Sequence, residues 1–316
     1  MTKGISLHVG LNHVDPKKYG GWEGRLRFCH NDANDMQAIA KKNRFESGIL
    51  LDEEVTLASI KKHFMVAAKK LQPGDIFFFS YSGHGTQVPD KSNDEADGKD
   101  EAWVLFDQLL IDDEIGQFKE WFQPGVRILI VSDSCHSGTM LKHMSDNELQ
   151  HIGKFIPYQS LPPKITNKNN VPHDGRLAKK GATVISLTAC QDNQFAVESN
   201  GNGLFTAAIK RAIGDNGRFN GNYFQLYKAI SGQMPPNQSP NYRVAGPKHP
   251  TFTSEPAFTV EQEANANHFI QNEIAKIRHQ NEEMLNCLMR IETRLQTIDP
   301  EWIVEAMAEL RNRTRP

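Results

Sequence analysis

The sequence predicts an α/β domain built on a mostly parallel β-sheet, followed by a helical extension. Short apolar runs recur through the first 260 residues, and stretches with helical periodicity separate them. Such runs are typical of parallel strands that are buried on both faces. After residue 260 glycine is absent, and apolar residues begin to recur at alternating steps of four and three. We therefore predict one domain over residues 1–260 and a helical extension over residues 261–316.

Five apolar runs predict the strands of the sheet, and five stretches with helical spacing predict its helices. The helix over 56–71, for example, places Ile60, Phe64 and Leu71 on one face and stops before a Pro-Gly pair. The strands are predicted at 4–11, 75–82, 102–107, 127–133 and 183–190, and the helices at 31–43, 56–71, 112–122, 201–214 and 222–234.

The composition argues against several classes of protein. A formal net charge of -2 gives no reason to expect nucleic acid or an anionic membrane surface as the main partner. No run approaches the ~20 apolar residues that span a bilayer, and residues 1–12 do not resemble a signal peptide. The four cysteines are scattered and form no CxxC pair, so we expect neither a disulfide framework nor structural zinc. We therefore expect a cytoplasmic protein.

Two short motifs follow buried strands and carry nucleophile chemistry. SGHG at 82–85 contains His84 between two glycines, and DSCHSG at 133–138 contains Cys135 directly after a strand. Because the carboxyl ends of parallel strands meet at one edge of a sheet, we expect these two side chains to share a crevice. His84 would activate the Cys135 thiol and then protonate a leaving amine. The N–H groups of Gly85 and Cys135 are the expected oxyanion donors.

Each of these residues also has an ordinary structural interpretation. A buried cysteine is most often a small apolar packing residue, and a single histidine is most often structural. We interpret Cys29, Cys190 and Cys287 mainly as packing residues. A metal site formed by His84, Cys135 and His136 is a weaker hypothesis, because the nearby acidic residues are better explained by a substrate pocket.

The motifs together resemble the metacaspase branch of the caspase clan. His84 precedes Cys135 by 51 residues, close to the caspase spacing, although the caspase nucleophile signature QACRG is absent. LHVGLN, CHND, DGKDE and LTACQDNQ also match, and the resemblance covers roughly residues 4–253. It implies a caspase-like three-layer α-β-α domain and a cysteine endopeptidase that needs no cofactor for its chemistry.

The resemblance also implies a pocket for the side chain that precedes the cut, lined by Cys29, Asp32, Ser82 and Asp133. Two carboxylates in one buried pocket repel each other unless a cation joins them. Arg or Lys supplies that cation, and Arg can bond both carboxylates. We therefore expect protein or peptide substrates with Arg or Lys before the cut. Taken alone, Asp32 is better interpreted as a helix N-cap, and the two roles can coexist.

Calcium is a further expectation from the resemblance, with Asp100, Asp112 and Asp113 as ligands. The fourth carboxylate of the family is expected seven residues after the nucleophile, where this chain has Lys142. An EF-hand is excluded, because its required glutamate falls on Val104.

The polar stretch over 142–181 is long for a loop inside a compact domain, which is typical of a functional or disordered segment. We predict that the enzyme cuts itself there, because exposed loop tips are where nicking concentrates. The basic residues named as candidates are Lys164, Lys168, Arg176, Lys179 and Lys180.

The extension carries about four heptads, which predict a coiled-coil-like arm for self-association or for docking a partner. Asn281 occupies the one polar core position and resembles the buried polar residue that fixes register in dimers. The alternative is a helix that packs on its own domain. The core positions are Ile270, Ile274, Ile277, Asn281, Met284, Leu288, Ile291, Leu295 and Ile298.

A different class of function also stays open at this point. The protein could be a signalling scaffold that uses a peptidase fold mainly to bind partners. The intact pair of His84 and Cys135 favours the enzyme.

Overall fold

The computed structural model describes residues 2–90, 98–135, 153–166, 181–190, 196–199, 201–260, 277–278, 280–290 and 300–313. Within these ranges, helices and strands alternate along the first 245 residues, as the sequence predicts. The strands are β1 (Gly4–Gly10), β2 (Glu46–Leu51), β3 (Ile76–Ser82), β4 (Gly85–Pro89), β5 (Lys99–Val104), β6 (Leu109–Ile111), β7 (Arg127–Asp133), β8 (Thr183–Thr188), β9 (Glu198–Ser199), β10 (Asn202–Gly203) and β11 (Asn241–Ala245). The helices are α1 (Cys29–Lys42), α2 (Leu57–Lys70), α3 (Asp112–Phe118), α4 (Pro163–Thr166), α5 (Leu204–Ile213), α6 (Tyr223–Ser231) and α7 (Pro300–Arg313).

The central sheet has six strands in the order β11-β8-β7-β3-β1-β2. All neighbouring pairs are parallel except β11 with β8, so the predicted mostly parallel sheet is confirmed. The register aligns Gly10, Ser82 and Asp133 across β1, β3 and β7. These three strands therefore end at the same level, and the loops that follow them meet at one edge.

Two apolar cores lie on opposite faces of this sheet, because successive side chains of a strand point in opposite directions. In β3, Phe77 and Phe79 belong to the core that contains α2, whereas Phe78 belongs to the core that contains α1, α5 and α6. Every residue of β3 and β7 is buried. The result is the predicted three-layer α-β-α arrangement.

The helices begin where local chemistry allows. The side chain of Thr56 caps α2 by accepting a hydrogen bond from the N–H of Ser59 at 3.1 Å. At α6, Asn222 and Gln225 form a reciprocal capping box. Both helices start within two residues of the predicted positions.

The sequence patterns did not predict four of the longer strands, namely β2, β4, β6 and β11. β2 and β11 are the edges of the central sheet, and their side chains are only partly buried. β4 and β6 flank β5 in a separate three-stranded antiparallel sheet. Short edge strands have weak apolar patterns, because one side of each strand has no neighbour.

The chain divides into two compact units, Met1–Gln262 and Glu263–Pro316. In the second unit, residues 280–290 and Pro300–Arg313 are helical. Ile277, Met284 and Leu288 are three of the predicted heptad core positions, and they are 54%, 59% and 56% exposed. The other heptad core residues except Asn281 lie outside the described residues. Of the helices in the described ranges, none has the length and apolar character needed to cross a membrane.

Candidate active site

The site lies at the carboxyl ends of β3 and β7. His84 occupies the turn between β3 and β4, and Cys135 lies two residues after the end of β7. The backbone of this turn is fixed, since the His84 carbonyl accepts the N–H of Val104 at 2.9 Å and contacts the Tyr81 hydroxyl at 2.7 Å. The sheet therefore brings the two predicted catalytic residues to one edge.

The His84 ring is buried, and its ring centroid lies 4.9 Å from that of Trp22. Its Nε2 lies 3.2 Å from the carbonyl oxygen of Gly24. A carbonyl can only accept, so Nε2 carries the proton and Nδ1 is the free acceptor of the neutral ring. Nδ1 is buried and has no hydrogen-bond partner among the described residues. The pKa of His84 is lowered to about 3, mainly by burial and also by the charge of nearby Lys154, and the hydrogen bond to Gly24 opposes this shift.

Cys135 is fully buried, and the Sγ of Cys190 lies 3.2 Å from its Sγ. Cys190 donates from its thiol, and that contact together with burial raises the pKa of Cys190. Cys190 lies in a buried apolar core, which agrees with its interpretation as a packing residue, and it also contacts the predicted nucleophile. Cys287 is exposed, so its interpretation as a packing residue is wrong.

A lysine that the sequence analysis did not single out fills the predicted substrate pocket. The ammonium of Lys154 lies 2.8 Å from Asp32 Oδ2 and 3.1 Å from Asp133 Oδ1. It also donates to the hydroxyl of Ser82 at 3.0 Å, and the whole side chain is inaccessible to solvent. Asp32, Ser82 and Asp133 therefore surround one internal cation, as the pocket hypothesis requires.

The remaining oxygens of the two carboxylates are held by a distant part of the chain. Asp32 Oδ1 accepts the N–H of Gly203 and the amide of Asn202, each at 2.9 Å. Asp133 Oδ2 accepts the N–H and the hydroxyl of Thr206 at 2.9 and 2.8 Å. Gly203 and Thr206 belong to the N-terminal end of α5, whose dipole favours negative charge. A side chain at position 203 would collide with Asp133 and Lys154, so glycine is required there.

The charges of this cluster depend on one another. Burial alone would lower the pKa of Lys154, but Asp133 and Asp32 outweigh burial and hold it well above its usual value. Burial would likewise raise the pKa of Asp32, but the ammonium of Lys154 and three hydrogen bonds hold it below its usual value. Burial raises the pKa of Asp133, and the neighbouring charge of Asp32 adds to this effect. The ammonium of Lys154 thus forms ion pairs with two buried carboxylates.

The backbone of Lys154 meets the predicted oxyanion donors. Its carbonyl oxygen accepts the N–H of Gly85 at 2.9 Å and the N–H of Cys135 at 3.2 Å. Two converging N–H groups on one oxygen are the arrangement that stabilises a developing oxyanion in acyl transfer. The residue after His84 and Cys135 itself therefore bind the same carbonyl group.

The structure corrects the N-cap prediction for Asp32 and shows the surroundings of Cys29. The N-cap of α1 is Phe28, and Asp32 lies in the first turn with its side chain in the pocket, so the N-cap prediction is wrong. Cys29 is buried beside the pocket, where its thiol donates to Glu198 Oε1 at 3.6 Å. Glu198 also accepts the N–H groups of Arg27 and Phe28, each at 2.9 Å. No local signal in the sequence pointed to Glu198.

The predicted calcium ligands lie near the β4-β5-β6 sheet. Asp100 is buried on β5, and Asp112 is half-buried at the first position of α3. The side chain of Asp113 lies outside the described residues. Among the described side chains, the potential metal-ligand atoms of His13, Asp52 and Glu53 lie within 4.8 Å of one another. This group includes neither Asp100 nor Asp112. The described residues therefore do not complete a calcium site at the predicted position.

Cys190 also lines a cavity of about 200 Å³. Trp103, Ser132 and Cys190 line it, but His84, Asp32 and Asp133 do not. It is therefore a neighbour of the nucleophile and is separate from the carboxylate pocket.

Comparisons with known proteins identify relatives of this chain. The caspase-domain family model matches residues 13–260. The chain is 37% identical over 151 residues to metacaspase-1 of Emericella nidulans, covering 43% of this chain and 36% of that protein. It is 37% identical over 218 residues to metacaspase-1 of Sclerotinia sclerotiorum, covering 64% of this chain and 45% of that protein. The chain thus spans less than half the length of these curated relatives.

A solved structure also matches. Protein GSU0716 from Geobacter sulfurreducens has 42% sequence identity and a TM-score of 0.71, and the match covers 82% of this chain and 100% of that one. The architecture of the first unit is therefore one that a related chain adopts.

Proposed function

The chain belongs to the caspase-domain family, and from this premise we propose that it is a cysteine endopeptidase that hydrolyses peptide bonds after Arg or Lys. One observation carries the proposal. The residue whose ammonium lies between Asp32 and Asp133 is also the residue whose carbonyl accepts the N–H groups of Gly85 and Cys135. When the basic side chain of a residue lies in the pocket, the carbonyl group of the same residue thus lies at the expected oxyanion donors.

In the proposed reaction, Nδ1 of His84 takes the proton of the Cys135 thiol, and the sulfur attacks the substrate carbonyl carbon. The N–H groups of Gly85 and Cys135 stabilise the negative oxygen that forms. His84 then protonates the leaving amine, and water hydrolyses the thioester with His84 again as the base. The bond from Nε2 to Gly24 supports this role, because it leaves Nδ1 as the acceptor.

Specificity for a basic residue rests on Asp32 and Asp133, with Ser82 as a third acceptor and Cys29 beside them. Asp133 Oδ1 lies 3.1 Å from the Lys154 ammonium but has no hydrogen bond among the described residues. Asp133 Oδ1 could therefore accept a hydrogen bond from the guanidinium group of a substrate arginine. We therefore expect arginine to be accepted at least as well as lysine.

The test is cleavage of a peptide library by the wild type, Cys135→Ala and His84→Ala. We expect products that end in Arg or Lys from the wild type alone, since the two residues act as a unit. More than a tenth of wild-type activity in Cys135→Ala, or a preference for Asp before the cut, would contradict the proposal. Thermal melting of each variant controls for misfolding.

Calcium is proposed as an activator only, with Asp100, Asp112 and Asp113 as its ligands. Calcium is given no step of the reaction, because a thiol nucleophile and an imidazole base need no metal for peptide hydrolysis. Repeating the library experiment with and without calcium, and titrating calcium into Cys135→Ala by calorimetry, tests this. Equal activity in both conditions, with no heat of binding, would remove calcium from the proposal.

Self-cleavage within residues 142–181 stays a prediction. Of the basic residues named as candidates, Lys164 lies in the helical turn Pro163–Thr166. Lys168, Arg176, Lys179 and Lys180 lie outside the described residues.

The helical unit is proposed to associate with a second copy of the chain. The support is that Ile277, Met284 and Leu288, spaced as heptad core positions, are each more than half exposed. An uncovered apolar seam of this spacing is typical of helices that pair. A cytoplasmic location stays a prediction; its support is that Cys29, Cys135, Cys190 and Cys287 form no disulfide with one another.

The same exposed apolar residues favour a second candidate function, a scaffold in which the unit docks a different protein. The Cys135→Ala variant separates the two functions. A scaffold would keep its cellular activity in that variant, whereas a peptidase would lose it.

A further inference from the structure

We propose that Cys135 and Cys190 form a peroxide-reactive pair, in which Cys190 closes a reversible disulfide onto the nucleophile. The inference rests on the proposed function for one point, because His84 is taken as the base that prepares the Cys135 thiolate. It goes further by assigning a covalent modification site and by naming hydroperoxides as the class of oxidant. The disulfide would stop peptide hydrolysis, because it occupies the attacking sulfur.

The two sulfur atoms already lie in contact. The Sγ of Cys190 lies 3.2 Å from the Sγ of Cys135. Since a disulfide bond is about 2.05 Å long, the two atoms need to approach by only ~1.2 Å to form one. Of the other cysteines, Cys29 contacts Glu198 and Cys287 belongs to the second unit. Cys190 is therefore the cysteine that the described contacts place beside the nucleophile.

Strand pairing joins the backbones that carry the two cysteines. β7 and β8 are parallel neighbours with Ser132 opposite Thr188, and the N–H of Ala189 donates to the Ser132 carbonyl at 2.9 Å. Neighbouring strands lie about 4.8 Å apart, and disulfides join residues whose Cα atoms lie about 4.4–6.8 Å apart. The pairing that ends one residue before Cys190 thus brings the two chain segments to a separation that suits a disulfide.

The surroundings of the two thiols assign them different roles. His84 lies at the same edge of the sheet as Cys135 and offers Nδ1 as a proton acceptor, so Cys135 can become the thiolate that attacks an oxidant. The hydrogen bond to Cys135, together with burial, raises the pKa of Cys190, which therefore stays a thiol. Cys190 is thus the partner that reacts after Cys135 has been oxidised, an arrangement typical of redox-sensing cysteines.

The cavity that Cys190 lines gives a small oxidant access to the pair. Its volume is about 200 Å³, and its lining includes the charged residues Lys99, Glu101 and Arg243. A single water needs only ~10–15 Å³ of such space, so a hydroperoxide with two oxygen atoms fits. A small polar oxidant can therefore approach the sulfur atoms although both thiols are buried.

The chemistry consists of two displacements. In the first, His84 takes the Cys135 proton, the sulfur bonds to one peroxide oxygen, and the O–O bond breaks. The departing oxygen takes the proton from His84 and leaves as water or an alcohol. In the second, the Cys190 sulfur attacks the sulfur of the Cys135 sulfenic acid, the S–O bond breaks, and the Cys190 proton leaves with that oxygen as water. The cysteine pair loses two electrons and the peroxide gains two.

The disulfide differs from ordinary packing in what it prevents. A sulfenic acid that meets no thiol is oxidised further to sulfinic acid, which a thiol reductant does not reverse. With Cys190 at 3.2 Å, the sulfenic acid of Cys135 ends instead as a disulfide that a thiol reductant opens. An alanine or serine at position 190 would fill the space but give no such protection. The oxidised enzyme is therefore inactive but recoverable.

The first test maps the disulfide in the full-length protein. Reduced wild type, Cys287→Ala, Cys190→Ala and Cys190→Ser are treated with hydrogen peroxide, alkylated and digested without reductant for mass spectrometry. We expect a pair of peptides joined through Cys135 and Cys190 in wild type and in Cys287→Ala, the matched control that removes the exposed cysteine. In both variants at position 190 we expect Cys135 to carry sulfinic or sulfonic acid instead.

The second test follows hydrolysis of an arginine peptide before peroxide, after peroxide and after dithiothreitol, with each protein compared with its own untreated sample. We expect wild type and Cys287→Ala to lose at least ~tenfold and to regain most of it, and the variants at position 190 to regain at least ~tenfold less. Cys190 contacts the Ser134 carbonyl at 3.5 Å, which a serine hydroxyl can replace. Cys190→Ser therefore decides the test if thermal melting shows that Cys190→Ala is misfolded.

Two results would overturn the inference. They are peroxide-treated wild type in which Cys135 is not joined to Cys190, and equal recovery in wild type and a folded variant at position 190. Because the mapping needs no activity, it also separates the inference from the proposed function. The disulfide in a chain that hydrolyses no peptide would support the inference and sink the proposed function, and an active chain without the disulfide would do the reverse.

Discussion

At the scale of single residues, one carboxylate pair is the basis of the proposed specificity. Asp32 and Asp133 are each almost completely buried, and a single ammonium forms ion pairs with both. An uncharged side chain in the same pocket would leave both carboxylates without a cation, which is costly in a buried site. The proposed preference for a basic residue therefore rests on charge balance as much as on shape.

A first prediction compares Asp32 with Asp35, one turn later on α1. Asp32→Asn should lower kcat/KM for arginine peptides by about 30-fold or more, because a buried charge partner is lost. Asp35 contacts Asn202 and Lys210 near the surface, so Asp35→Asn should cost less than about tenfold. Similar losses in both variants, with both folded, would mean that Asp32 does not hold the substrate charge.

A second prediction concerns the buried histidines. Burial and, to a smaller extent, the charge of Lys41 lower the pKa of His8 to about 3, whereas an unfolded histidine has a pKa near 6.5. Between these values the unfolded state binds the proton and the folded state does not, so the stability that is present above pH 6.5 is lost as the pH falls. At pH 5.5 the loss is about 1.4 kcal/mol for each such histidine.

Urea unfolding at pH 7.5 and 5.5, in the Cys135→Ala background, measures this effect. The decrease in the free energy of unfolding should be about 1.4 kcal/mol smaller in His8→Gln, since one titrating group is removed. The hydroxyl of Ser80, 2.8 Å from His8 Nδ1, gives the glutamine a partner. An identical pH dependence in both proteins would show that His8 is not held neutral.

At the scale of elements, the site is assembled by the ends of strands and of one helix. β3 and β7 deliver Ser82 and Asp133 in register, and α1 adds Asp32 from its first turn. The N-terminal end of α5 then binds both carboxylates through backbone N–H groups. Because these donors are backbone groups, they stay in place when the side chain in the pocket changes.

A third prediction concerns the helix at 280–290. If it pairs with a second copy, Asn281→Ile should raise the melting temperature of the assembly and broaden its oligomer number, because a polar core residue limits register at a cost in burial. Asn286→Ile, on the opposite side of the heptad, should change neither. Light scattering and thermal melting decide this, and monomers at all concentrations would contradict pairing.

At the scale of the whole molecule, the catalytic and pocket residues all lie in the first unit. The residues named for catalysis, for the oxyanion and for the pocket fall within Met1–Gln262, and the exposed apolar seam falls within Glu263–Pro316. Chemistry and association are therefore assigned to different units.

A fourth prediction follows from this separation. A chain truncated after Gln262 should hydrolyse the arginine peptide with an undiminished kcat/KM and should unfold with unchanged cooperativity, because it keeps both cores. Peptide kinetics and thermal melting of the truncated and full-length proteins check this. A truncated chain that is folded but inactive would assign part of the active site to the second unit.

The sequence by itself determined the parts of this protein that depend on local pattern. Buried runs indicated the central parallel strands, and glycine-flanked His84 and strand-terminal Cys135 indicated where chemistry would lie. The rule that parallel strands end together was enough to bring these two residues to one edge. The exposed edge strands escaped prediction, because half-buried positions carry little pattern.

Only the tertiary structure decided which side chain fills the pocket and which residues bind its carboxylates. Asp32 looked like a helix cap, and its contact with Gly203 joins residues 171 positions apart, which no local pattern encodes. Lys154 was one basic residue among several in a polar stretch, and composition could not distinguish it from Lys164. The distinction depends on an extended backbone between two neighbouring segments, and that arrangement exists only after strands distant in sequence have come together.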